Sequence, residues 1–177
     1  LSQAVTVLSG IDLDNRQIST FVDLSAIAPG VNVAKNEGFK TVITIRGVGY
    51  ETNQNAIATP SVSYHLDGIY VASPYSLQTD FLDLERIEVL RGPQGTLFGQ
   101  NSTGGAINVV TQAPTTDETY GSADLTVGNH GLLKTRAFIN KPISENLAMR
   151  ASFISNKRDG FTENLTNGQD LDDADSV

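Results

Sequence analysis

The sequence predicts two regimes in one chain: an α+β domain (a small mixed sheet with short helices) over residues 1–112, and from residue 118 an incomplete antiparallel transmembrane β-barrel. Three observations predict them. Up to Thr111, short β-rich pieces are interleaved with helix caps and glycine turns; beyond the linker the chain turns to strict period-two alternation in three consecutive segments. Throughout, no run approaches the roughly 20 apolar residues of a membrane-spanning helix, which leaves a soluble domain or a β-type membrane protein.

In order, Ala4–Leu8 reads as a strand. Ser9-Gly-Ile-Asp12 and Thr20-Phe-Val-Asp23 each place an acidic residue three positions after a capping hydroxyl, so two short helices follow. The second is expected to stop near Ala28-Pro29-Gly30. Val31–Val33 and Thr41–Ile45 read as strands, and Ser61–Leu66 pairs with Ile69–Val71 across Asp67-Gly68, a strong hairpin signal. Arg86–Leu90 alternates, and a glycine-punctuated segment leads to a further strand at Gly105–Thr111. Residues 113–117 read as a linker.

Three alternating segments follow it. Ala123, Leu125 and Val127 oppose Ser122, Asp124 and Thr126; Leu133, Thr135, Ala137 and Ile139 oppose Lys134, Arg136 and Asn140, with Phe138 the exception on the polar side. Leu147, Met149, Ala151 and Phe153 oppose Arg150, Ser152 and Asn156. Gly128–Gly131 and Pro142–Glu145 are short enough to join antiparallel neighbours, so the segments form a meander of about three strands. A half-buried soluble sheet shows the same alternation. Segments near about 9–11 residues, with mid-strand charges on one face, favour a membrane barrel whose polar face is the lumen.

Composition narrows the function. The 177 residues hold no Cys, which removes disulfides, thiolate metal sites and Cys nucleophiles. The formal charge of −8 divides unevenly: the six acids after Arg158 leave only −2 for everything before. A nearly neutral body argues against nucleic-acid binding. The stretch Gln169–Asp175 reads as a solvated loop. The glycines between Arg91 and Gly105 lack the Lys of a phosphate loop and the spacing of a dinucleotide fingerprint, so they read as turns and close backbone approaches. His65 and His130 have no metal-spaced partners, and no Gly-x-Ser-x-Gly elbow anchors a hydrolase. The opening Leu1, with no basic stretch and apolar run after it, reads as a chain whose targeting segment is not included.

Four motifs then combine: Thr44-Ile-Arg-Gly-Val-Gly49; Tyr64-His-Leu-Asp-Gly-Ile-Tyr70; Leu84-Glu-Arg-Ile-Glu-Val-Leu-Arg-Gly-Pro-Gln-Gly-Thr-Leu-Phe-Gly99; and Thr103-Gly-Gly-Ala-Ile-Asn-Val-Val110. Together, and in this order, they resemble the plug of a TonB-dependent outer-membrane receptor, with the alternating segments resembling the opening strands of its barrel. The resemblance implies a plug that gates the barrel, a ligand such as a ferric siderophore bound from outside, and import driven by TonB through a box upstream of Leu1. It implies a location in the outer membrane, in contact with its lipid, with the plug accessible from the periplasm. It implies no cofactor, no covalent chemistry and no nucleic acid.

Carried over by motif, Arg46 and Arg91 match the plug arginines that pair with barrel glutamates. A buried guanidinium needs carboxylates, which its planar fork binds at two points. The loops Val48–Asn55 and Ala72–Thr79 are expected to face the extracellular side, with Tyr50, Asn53, Gln54, Tyr75 and Gln78 as ligand contacts. Gly47, Gly68, Gly92, Gly95, Gly99, Gly104 and Gly105 are expected to be structural. The competing reading is a soluble α+β module whose glycine-rich loop holds a small ligand.

Overall fold

In the computed structural model the chain divides into two units, Leu1–Gln112 and Ala113–Val177. The structure describes residues 4–36, 40–49, 60–73, 77, 80–160, 162–163, 170–171 and 174–176.

Each expected capping box of the first unit forms in part. Strand β1 (Ala4–Ser9) runs straight into helix α1 (Gly10–Asn15). The extended Ser9 accepts the Asp12 amide at 3.2 Å, and its hydroxyl donates to the Asp12 carboxylate at 2.6 Å. In the second box Asp23 Oδ2 accepts from the Ser19 and Thr20 amides at 3.0 and 2.8 Å. Helix α2 (Leu24–Ile27) begins later than the spacing suggests, because the Leu24, Ser25 and Ala26 amides bond three residues back and wind the first turn tightly. It ends at Ala28, ahead of Pro29.

Two sheets follow. Antiparallel β2 (Val31–Asn36), β3 (Lys40–Ile45) and β4 (Val48–Gly49) form one of them. The Ile-Arg-Gly motif is the turn between β3 and β4, with Arg46 and Gly47 both at positive φ (53° and 76°). Val48–Gly49 is therefore strand, where the sequence reading began a loop. The turn conformation twists with its strands, so pairing continues past it.

The other sheet holds β5 (Val62–Leu66), β6 (Ile69–Tyr70), β7 (Leu84–Arg91) and β8 (Gly105–Thr111) with β1, in the order β1-β7-β8-β5-β6. Only β5 and β8 pair in parallel. Asp67 and Gly68 sit at φ 51° and 79°, the type I′ hairpin the sequence announces. A short helix absent from the sequence reading, α3 (Gly95–Phe98), lies between β7 and β8.

One continuous core holds this unit together. Leu13, Phe21, Leu24, Val33, Ile45, Tyr64, Phe81, Ile87, Val89, Ile107 and Val109 belong to it. Phe21 is its hub, meeting the Tyr64 and Phe81 rings edge-on at 5.0 and 4.8 Å.

The second unit is a single open sheet in the order β14-β11-β10-β9, from β9 (Tyr120–Val127), β10 (Leu133–Ser144), β11 (Leu147–Arg158) and β14 (Ala174–Ser176). β12 (Thr162–Glu163) and β13 (Asp170–Leu171) pair separately. Three expectations are corrected here. Pro142–Ser144 belongs to β10 rather than to a connection; Pro142 lacks an amide proton, and the register shifts beside it. The acidic stretch contributes β13 and β14 instead of a plain loop, and β14 makes a fourth strand by pairing with Asn156–Arg158. The four-stranded sheet is open, with β14 and β9 at its edges.

Register confirms the alternation across β9, β10 and β11. Leu125–Thr135–Ser155 and Ala123–Ala137–Phe153 lie in rows on one face, and Asp124–Arg136–Ile154 on the other. Lys141, opposite Met149, and Lys157, opposite Leu133, share the apolar face near its two ends, where long lysine stems reach polar surroundings. Phe138, the apolar residue on the polar face, is explained by Arg150, whose guanidinium lies 4.2 Å from its ring centroid. Among the described residues no helix is long and apolar enough to cross a membrane, which says nothing about strands.

Candidate functional site

Gly105 gathers the two arginines. It opens β8 at φ 150° opposite Arg91, and a side chain there would run into the Leu90 carbonyl and approach Ile45 Cδ1 to 2.8 Å. Only glycine lets Ile45, the residue before Arg46, settle against this strand end. Gly104 does the same for β4, since its Cβ would come within 2.9 Å of Val48 Cγ1. The hairpin bearing Arg46 thus sits against the start of β8, and β7 delivers Arg91 to that same end. The remaining glycines lie at turns or around α3: Gly47 and Gly68 in the two hairpins, Gly92, Gly95 and Gly99 before, in and after the helix.

The two guanidinia differ. Arg46 is exposed, and its amide is fixed to the Gly30 carbonyl at 2.7 Å. Arg91 is half-buried; its Nη2 donates to Thr6 Oγ1 at 2.6 Å, and its buried Nε has no hydrogen-bond partner among the described residues. Neither forms an ion pair there. The ion pairs of the first unit instead join Arg86 to Glu85 and Glu88. Arg46 occupies a turn tip. The expected ligand contacts Tyr50, Asn53, Gln54, Tyr75 and Gln78 lie outside the described residues.

A polar chain absent from the sequence reading crosses the outer face of the five-stranded sheet. Arg86 Nε donates to Glu88 at 2.7 Å, Asn108 Nδ2 donates to Glu88 at 3.0 Å, and Asn108 Oδ1 accepts the Gly68 amide at 3.1 Å. The Asn108 bond, with Arg86 behind it, holds the Glu88 carboxyl below its usual range against the opposing effect of burial. Asp67 adds a clamp on the end of β8, accepting the Thr111 amide and hydroxyl at 2.8 and 2.9 Å. Its place in an Asp-Gly turn was legible; its partner was not, because Thr111 is brought to it only by the parallel pairing of β5 with β8.

His65 is 3% exposed on that face, with the Phe98 and Tyr70 rings 4.7 and 5.6 Å away. Burial pulls its imidazole below the usual range, the Gly68 backbone acting the other way.

In the second unit Arg150 donates to the Tyr120 hydroxyl at 2.9 Å while lying over Phe138. Beside them Asn140, fully buried, holds the backbone of the preceding segment.

The model of the TonB-dependent receptor plug domain matches residues 1–106. The pesticin receptor of Yersinia enterocolitica is 37% identical over 112 residues, 62% of this chain and 16% of that protein. The ferric enterobactin receptor PirA of Pseudomonas aeruginosa is 27% identical over 98% of this chain and 26% of its own length. The solved structure of the ferric yersiniabactin uptake receptor FyuA from Yersinia pestis superimposes with a TM-score of 0.84 at 28% identity, covering 97% of this chain and 26% of that one. The chain thus spans about a quarter or less of the length of these relatives. These relatives are receptors rather than enzymes, and the chain belongs to the TonB-dependent receptor plug-domain family.

Proposed function

We propose that the chain is the gate and the first wall strands of an outer-membrane receptor that imports a ferric siderophore with energy delivered by TonB. The observation that carries this reading is the absence of a core in the second unit. Among its described residues only Asn140 and Gly160 are buried, while Leu125, Val127, Ile139, Met149 and Phe153 share one exposed face. Such a sheet is stable where lipid covers that face and further strands complete its edges.

In this reading Arg46 and Arg91 pair with carboxylates of the wall, which supply an acceptor for Arg91 Nε, a buried donor without a partner among the described residues. Tyr50, Asn53, Gln54, Tyr75 and Gln78 contact the ligand. Residues 1–112 act as the gate and 118–177 as wall, joined by 113–117. The siderophore class rests on the names of the relatives.

The test is uptake of radiolabelled iron by receptor-deficient cells expressing the full-length protein. Supply as the enterobactin or yersiniabactin complex should give accumulation that stops when TonB is deleted. Recovery of the protein from the soluble fraction without detergent, or uptake of these complexes that ignores TonB, overturns the reading.

A further inference from the structure

The segment between the units is latched at both ends. On one side the Gln112 amide donates to the Asp83 carbonyl at 2.9 Å, next to the Thr111–Asp67 clamp. On the other, the Asn140 carboxamide makes three hydrogen bonds at 2.9 Å: its oxygen accepts the Thr115 amide, and its nitrogen donates to the Thr115 and Glu118 carbonyls. Thr115 Oγ1 in turn accepts the Asp117 amide at 3.2 Å. A buried carboxamide satisfied by backbone on both its atoms is costly to release, since each group left unmet has neither water nor a partner.

We propose that Asn140 is a positioning residue that confines the swivel between gate and wall to Ala113–Pro114. Both residues are exposed. Proline fixes its own φ and biases Ala113 to an extended backbone, so even this joint is stiff. From Gln112 to Thr115 is three Cα steps, at most about 11 Å. With the latch closed, the end of β8 therefore stays within that reach of Thr115 however the rest of the gate moves. With it open, the slack runs to Tyr120 and grows to about 28 Å. The inference rests on the receptor reading: while the latch holds, pulling by TonB cannot carry the end of β8 beyond that reach of Thr115.

The experiment uses the full-length receptor with Asn140→Ala and, in parallel, Asn140→Asp, which keeps the acceptor and loses the donors. Hydrogen exchange in detergent should show the Thr115 and Asp117 amides of the Ala variant exchanging about ten-fold faster, with β10 and β11 unchanged. The Asp variant should leave Thr115 protected. In cells the Ala variant should become several-fold more sensitive to vancomycin, which the intact outer membrane excludes, and only where TonB is present. Sensitivity without TonB, unchanged Thr115 exchange, exchange faster throughout the sheet, or no gain in sensitivity each overturns the proposal. Iron uptake by the unmodified receptor in the same cells reports separately on the receptor reading.

Discussion

Phe21 and Phe153 are the same side chain under opposite regimes. Phe21 is 1% exposed between two other rings, its neighbourhood assembled from α-turns and two sheets, whereas Phe153 stands 48% exposed in a regular ladder. The first unit gains stability by removing apolar surface from water. The second satisfies its backbone through pairing and leaves its apolar surface exposed, an arrangement that the proposed reading places beside hydrocarbon. On that reading one sequence follows two solvents, and the switch coincides with the change in hydrophobic period after Gln112.

The largest expected effect separates the units. Residues 1–112 alone should melt cooperatively, while residues 113–177 alone should aggregate through their open edges and apolar face. A soluble, monomeric, dispersed NMR spectrum from 113–177 would break the comparison outright. Next in size, Phe21→Ala should cost the first unit about 3–5 kcal/mol in denaturant melts. Phe153→Arg, near the middle of the band between Lys141 and Lys157, should cost the full-length protein about 2–4 kcal/mol when it folds into bilayers. Equal tolerance of Phe153→Arg in lipid and in water would sink the lipid-facing assignment.

The smallest effect is a pH dependence in the first unit. The folded His65 imidazole binds its proton less readily than the unfolded one. Its contribution is therefore complete above the unfolded value of 6.5 and lost as pH falls below it through the lowered folded value. The melting temperature of residues 1–112 should fall between about pH 7 and pH 5, and His65→Gln should flatten that fall. Glu88, depressed in the fold, acts in a lower window, its contribution present above its unfolded value and lost on further acidification. An unchanged slope in the Gln variant would move the effect away from His65.

What could be read beforehand was local. Asp67-Gly68 dictates its turn, Ser9 with Asp12 dictates a cap, and alternation from Ser122 to Asn156 assigns every side chain a face. What could not be read depends on distant partners. Nothing near Gly105 announces that β8 enters between β7 and β5, so the meeting of Arg91 with the Arg46 hairpin was invisible except through family likeness. Asn140 looked like one more polar residue on the inner face. Its burial follows from Thr115 and Glu118 folding back onto it, which no periodicity encodes.

The position of β8 also constrains how the protein is made. It is central in space yet last in the unit's chain, so β5 and β7 have no neighbour between them until Thr111 has been synthesised. Until then the facing edges of β5 and β7 stay unpaired, a hazard for cross-pairing between nascent chains. Completion of the five-stranded sheet therefore waits on its final seven-residue strand, the last element of the first unit.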